Sequence, residues 1–245
     1  MTKPDINGII SSMENSAGRL LKVIIQGFLS LIYPPSCQAC NKKTVLFGNG
    51  ILCENCYNNI RLNTSPKYNY GKANAYCFEA SYSVCAYEGV IRKCVHNFKY
   101  NAKFASEKLF GKLMIEFAER HIDMRHFDWL VPVPLHRVKQ RERTFNQSAI
   151  LAVHLSKRFK VPILRNNLLR KHAGEPQITL AKDKRSKNVR DAFAMRNPLP
   201  VKNKNILLVD DVFTTGATAN ECSKTIKKAG AGSIEVFTLA RSMQS

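Results

Sequence analysis

The clearest pattern of apolar and polar positions lies near the end of the chain. Ile206–Val209 is a continuous apolar run between Asn205 and Asp210. It predicts a strand covered on both faces, as in a parallel sheet. Beyond the loop that follows, Ala219, Cys222, Ile226 and Ala229 recur at helical spacing and Gly230 closes the series, so a helix is expected. Ile234–Leu239, with Ile234, Val236, Phe237 and Leu239, predicts a second strand. Strand, loop, helix and strand make a βαβ unit, and the fold class expected is α/β. Further forward, Ala80, Tyr82, Val84 and Ala86 alternate with smaller positions and predict a strand containing Cys85. At the front, Arg19, Lys22, Gln26 and Ser30 fall on one stripe of a helix, and Leu21, Ile24, Ile25, Phe28, Leu29 and Ile32 on the other. Leu20–Tyr33 is therefore read as an amphipathic helix ended by Pro34-Pro35. At about 14 residues it is too short for a bilayer core of roughly 30 Å, so no transmembrane span is expected. Docking on the rest of the protein is its plain reading; peripheral membrane contact through residues 20–33, or a partner helix, is the alternative.

Composition adds one anomaly. The chain has 245 residues, 44% apolar and 23% charged, which is globular and excludes a fibrous repeat or a disordered tail. The net charge is +20. Residues 91–210 hold 26 Lys and Arg against 10 Asp and Glu, so +16 of that excess sits in about half the chain. Such a balance points to an anionic partner: nucleic acid, phosphorylated metabolites or an acidic membrane face. The first residues interleave Lys3, Asp5 and Glu14 and open no secretory signal, so a cytoplasmic location is expected.

Eight cysteines follow a divided pattern. Cys37-Gln-Ala-Cys40 and Cys53-Glu-Asn-Cys56 are two Cys-x-x-Cys pairs twelve residues apart. Each such turn brings two sulfurs to one side of a metal, and two turns complete the tetrahedral shell of thiolate zinc. All four positions are Cys, so the expected Zn²⁺ is structural, one per chain, held by Cys37, Cys40, Cys53 and Cys56. A redox pair would need a βαβ context that is missing around these residues. Cys77 and Cys85 read as small strand residues, and Cys94 and Cys222 as half-buried helix residues.

The loop after the first apolar run carries the chemistry. Asp210-Asp211-Val212-Phe213-Thr214-Thr215-Gly216-Ala217-Thr218 offers successive backbone N–H groups at a helix N-terminus, with three hydroxyls. That is an anion nest with a favourable dipole, and Gly216 permits close approach. The carboxylates just upstream suit vicinal ribose hydroxyls or a divalent metal. A ligand with a phosphate beside a diol satisfies both halves. No Lys follows the glycine, so this is not a Walker A loop.

Val209–Thr218 resembles the phosphoribosyl-pyrophosphate (PRPP) motif of type I phosphoribosyltransferases. With the cysteine pairs before it, the chain resembles the ComF family, the competence-associated branch. The likeness continues in Tyr87-Glu-Gly89, Phe98-Lys99-Tyr100, Val131–His136, Arg141–Gln147, Gln177 and Asn188-Val-Arg190 with Phe193. Many relatives carry a further Cys-x-x-Cys module; residues 57–76 do not.

The resemblance implies a type I phosphoribosyltransferase fold, a parallel sheet flanked by helices with a hood. An amphipathic helix (1–34) and a zinc module (35–62) would precede the phosphoribosyltransferase-like domain (78–245). Trp129–Val133 would be the first sheet strand. Asp210 and Asp211 would hold the ribose hydroxyls of PRPP, and Thr214, Thr215, Gly216, Ala217 and Thr218 its 5′-phosphate. His136 and Arg137 would sit in the pyrophosphate loop. Mg²⁺ would bridge pyrophosphate and ribose oxygens. Arg141 and Lys99 would neutralise the departing pyrophosphate, because that charge must be met for the C1–O bond to break. Asn146, Gln147, Gln177 and Arg190 are assigned to the acceptor side and hood. The implied reaction is Mg²⁺-dependent transfer of phosphoribosyl to an unidentified nitrogenous acceptor, linked to natural transformation. The alternative is a non-catalytic PRPP sensor or single-stranded-DNA-binding component working with DNA-uptake proteins at the inner face of the membrane.

Overall fold

A computed structural model of the chain describes residues 35–47, 50–70, 76–100, 105–135, 145–171 and 192–242. The helix expected over Leu20–Tyr33 lies outside them, as do the predicted site residues His136, Arg137, Arg141, Gln177 and Arg190. No helix among the described residues is long and apolar enough to cross a membrane.

Helices are α1 (Glu54–Asn58), α2 (Gly89–Tyr100), α3 (Ala105–His121), α4 (Gln147–Phe159) and α5 (Ala217–Lys228). Strands are β1 (Lys67–Asn69), β2 (Ala80–Ala86), β3 (Trp129–Pro132), β4 (Leu168–Arg170), β5 (Phe193–Met195), β6 (Asn205–Phe213) and β7 (Ser233–Arg241). The main sheet has the order β1-β2-β7-β6-β3. Its β2, β7, β6 and β3 run parallel. To these the structure adds β1, an antiparallel edge strand. β4 and β5 form a separate antiparallel pair.

Alternation along β6 divides the core. Leu207 and Val209 face one buried cluster, with Phe237 and Leu239 of β7 and the apolar stripes of α2, α3 and α4. Ile206 and Leu208 face the other, with Val131, Ile234 and Val236 and with Ala219, Cys222 and Ile226 of α5. This two-sided cover is why the Ile206–Val209 run is continuously apolar. β2 is buried at every position rather than on one face. Its small serines lie against β7, where Ser83 Oγ and Thr238 Oγ1 are 2.8 Å apart. Cys94 and Cys222 are fully buried, not half-buried as the sequence suggested. Cys85 is a buried residue of β2, whereas Cys77 stands three residues ahead of that strand.

The cysteine turns pack on the same core as the sheet. Cys37, Ile51, Leu52 and Cys56 join the cluster that contains Phe98 of α2 and Leu109 of α3. Because β3 and β6 are parallel, their carboxyl ends open on one edge, where ligands of such sheets bind.

Candidate functional site

At that edge β6 ends in Asp210-Asp211-Val212-Phe213, and α5 begins four residues later. The intervening turn is closed by Gly216 at φ +73°, the residue that caps α5. A Cβ there would stand 2.6 Å from Phe213 Cζ and 3.0 Å from Tyr76 Cε1. Conformation and space thus both demand glycine. Tyr76 holds the turn from outside by donating its hydroxyl to the Thr215 carbonyl at 3.1 Å. Thr214 and Thr215 are exposed, and Ala217 and Thr218 half-buried. The first N–H groups of α5 have no partner inside the helix, so the turn presents donors and a positive dipole end.

The two carboxylates have different surroundings. Asp210 Oδ1 accepts from Ser148 Oγ at 2.9 Å and from the Asp211 backbone N–H at 2.9 Å. Burial, then the neighbouring Asp211, pushes its pKa up to about 7, against the pull of these hydrogen bonds and of Lys99. Asp211 instead pairs with Lys99, whose Nζ lies 2.5 Å from Oδ2. Lys99 thus reaches from the last turn of α2 to a carboxylate at the end of β6.

Helix α4 supplies the third side. Asn146 caps it, accepting from the backbone N–H groups of Ser148 and Ala149. Asn146 Nδ2 donates to the Val133 carbonyl at 3.0 Å. This ties the start of α4 to the end of β3. Gln147 is 1% exposed, with Nε2 buried and without a hydrogen-bond partner. On the far side, Arg170 at the end of β4 has a buried Nε without a hydrogen-bond partner, and its guanidinium lies 5.5 Å from the Phe193 ring. Burial lowers the Arg170 pKa, opposed by Cys222 and Asp210. Ser148 and Tyr76 are not singled out by the sequence, and Arg170 stands there only as one of the basic residues of 165–196, the stretch read as the candidate hood. Ser148 borders the Arg141–Gln147 match, and that position was the only available signal.

The second cluster lies at the front. The sulfurs of Cys37, Cys40, Cys53 and Cys56 all fall within 4.8 Å of one another. Cys40 and Cys53 are 3.9 Å apart. A tetrahedral Zn–S shell of about 2.3 Å has S–S edges of about 3.8 Å, whereas a disulfide needs about 2.05 Å. Burial works to raise the Cys37 thiol, but backbone N–H groups of Cys53, Cys40 and Ala39 bring it down to about 6. The donor set fits a thiolate-bound metal such as zinc. Among the described residues no other group of three or more His, Cys, Asp and Glu is arranged for a metal.

These features define the class of protein. Residues 146–245 match the family model for the phosphoribosyl transferase domain. Over 154 residues the chain is 34% identical to Competence protein F of Haemophilus influenzae, covering 60% of this chain and 66% of that protein. It is 27% identical over 164 residues to DNA utilization protein YhgH of Escherichia coli, covering 66% and 71%. It is 30% identical over 161 residues to Competence protein ComFC of Bacillus subtilis, covering 65% and 63%. The chain thus spans about two thirds of the curated relatives it matches. It belongs to the ComF family.

Proposed function

We propose that the chain binds PRPP together with Mg²⁺ at the edge formed by Asp210, Asp211 and residues 214–218, and transfers its phosphoribosyl group to a nitrogenous acceptor. One observation carries this reading. Two carboxylates and an N–H turn stand within a few residues of each other at one strand end, which suits a diol beside a phosphate. Ionised Asp210 and Asp211 accept from the two ribose hydroxyls and fix the sugar. Thr214 to Thr218 hold the 5′-phosphate. Mg²⁺ would supply charge neutralisation for the pyrophosphate oxygens when bound. His136, Arg137 and Arg141 are assigned the rest of that charge. Lys99 offsets the charge of Asp211, which lessens the repulsion that the acidic pair exerts on the incoming anion. Gln147, Gln177 and Arg190 are assigned to the acceptor side. The zinc-type cluster is assigned a structural role.

Calorimetry with Mg²⁺ and PRPP tests the reading. The wild type should bind saturably, and Asp210→Asn/Asp211→Asn should weaken binding at least tenfold, since hydrogen bonds to charged groups contribute about 1.5–3 kcal/mol each. Because the Asp210 pKa stands at about 7, ionisation rises between pH 6 and 8. Wild-type affinity should rise by about tenfold in total over that window, and Asp210→Asn should flatten the profile. Neither heat nor a thermal shift from PRPP in the wild type would overturn the proposal. An acceptor screen follows if it binds.

The charge excess between residues 91 and 210, together with the competence and DNA-utilization names of the relatives, favours a second reading: a role in handling single-stranded DNA during uptake.

A further inference from the structure

The cysteine cluster and the acidic pair are joined by a short run of contacts. Gln38 stands inside the first cysteine turn. Its backbone N–H donates to the Ile51 carbonyl at 2.9 Å, which ties it to the segment ahead of the second turn. Its backbone carbonyl accepts from Asn97 Nδ2 of α2 at 3.0 Å. Its side-chain Oε1 accepts from Ser106 Oγ of α3 at 2.8 Å, and Ser106 is fully buried. Two residues beyond Asn97, Lys99 meets Asp211.

The position of Lys99 makes this run consequential. Lys99 is the penultimate residue of α2. Carbonyls of a last turn have no partner within the helix, so such turns fray unless something outside holds them. A lysine side chain also has about 2 kcal/mol of rotamer entropy to lose on being fixed. The Lys99–Asp211 pair nevertheless sits largely out of solvent, at 20% and 14% side-chain exposure. Phe98 fixes one side of the turn against Phe110 and Phe145, at ring distances of 5.4 and 5.5 Å. The Asn97–Gln38 bond fixes another.

We infer that Asn97, held by Gln38 of the cysteine turn, is a positioning residue for Lys99, so that the state of the four-cysteine cluster is transmitted to the charge balance of Asp210 and Asp211. The inference concerns the carboxylates themselves and does not require that PRPP be their ligand. With the cluster intact, the last turn of α2 is anchored and Asp211 is neutralised. With it opened by metal loss, Gln38 is released, Lys99 is free to leave, and the two adjacent carboxylates are left with less compensation. Among the described residues, the charged or titratable groups facing Asp210 are Asp211 of β6, Lys99 of α2, Arg170 of β4 and the Cys222 thiol of α5, which burial keeps neutral. Of these described groups, only Lys99 comes from an element tied to the cysteine turn.

The test is a ¹³C-carboxyl NMR titration of the full chain labelled at aspartate, with Asp210→Asn and Asp211→Asn giving the assignments. Lys99→Met should move the midpoint of the acidic pair upward by half a pH unit or more. Asn97→Ala should move it the same way, and the double variant no further than Lys99→Met alone. Removing the metal from the wild type with a chelator should reproduce the shift. Ser106→Ala, which cuts the companion bond to Gln38, gives a smaller shift and serves if Asn97→Ala does not fold. Wild-type midpoints in a folded Asn97→Ala or Ser106→Ala chain, or shifts that simply add to that of Lys99→Met, would overturn the inference. A loss of melting temperature alone, with the midpoint unmoved, would show the contacts to be merely structural.

Discussion

Gly216 is the residue on which the loop's shape depends most directly. Its left-handed backbone strains any other residue, and an added methyl would collide with the Phe213 and Tyr76 rings. Gly216→Ala should cost about 1–3 kcal/mol, read as a lower urea midpoint, and should weaken PRPP binding because the N–H groups move with the turn. An unchanged midpoint would mean that the Phe213 ring yields freely. This part of the site was legible from the sequence because its requirements are local: a strand, two carboxylates, and a turn that needs a glycine. Ser148 was not legible as a partner of Asp210, since 62 positions separate them and only the fold brings them to 2.9 Å. Lys99 was readable as a cation near the site, but not as the partner of Asp211. Asn146 was assigned to the acceptor side, and its side chain is engaged in capping α4 and tethering β3.

Among the elements, the cysteine turns give the sharpest expectation. Spacing alone indicated four ligands, because Cys-x-x-Cys geometry is set within a few residues. Their docking was not legible. Ile51 and Leu52 look like loop residues in sequence, yet they are 2% and 1% exposed against α2 and α3. Metal removal therefore reaches past the turns themselves. A metal assay should find about one zinc per chain. Stripping it should lower the melting temperature by roughly 10 °C, if about 3 kcal/mol of docking is lost. Two zinc ions per chain would mean that Cys77 and Cys85 also bind metal. Against that, burial pushes the Cys85 thiol up to about 12, which keeps it neutral. The long elements were likewise legible: α5 and β7 lie within two residues of the predicted segments, whereas β6 runs on through Asp210–Phe213, which the sequence placed in the loop. The three-residue strands β1, β4 and β5 were not, because a short edge strand leaves no period to read and pairs only through contacts made elsewhere.

For the molecule as a whole, the open question is a charge of +20. A single phosphorylated sugar engages only a few cations, and Lys99 is already balanced by Asp211. Several further lysines and arginines pair with acids on the surface, among them Arg158 with Glu119 and Lys204 with Asp128. Eighteen acidic residues cannot balance thirty-eight basic ones, so most of the excess faces solvent or a partner. If that partner is single-stranded DNA, binding will be governed by counterion release, and each phosphate contact contributes about 0.7 to the slope of log affinity against log salt. Arg185 and Lys187 lie in the most basic stretch of the sequence, outside the described residues. Neutralising both should reduce the slope by about 1.4 and weaken binding at low salt, as read by fluorescence anisotropy with a labelled oligonucleotide. The melting temperature should not change. Adding Mg²⁺ and PRPP to the same titration separates two arrangements. Release of the DNA would place its path across the mouth of the phosphate loop. Unchanged DNA affinity would place it on a separate face, leaving the loop free for its own ligand. A slope and affinity that ignore both substitutions would remove residues 185–187 from the path and turn attention to Arg92 and Lys93, exposed on α2 beside the cysteine turn.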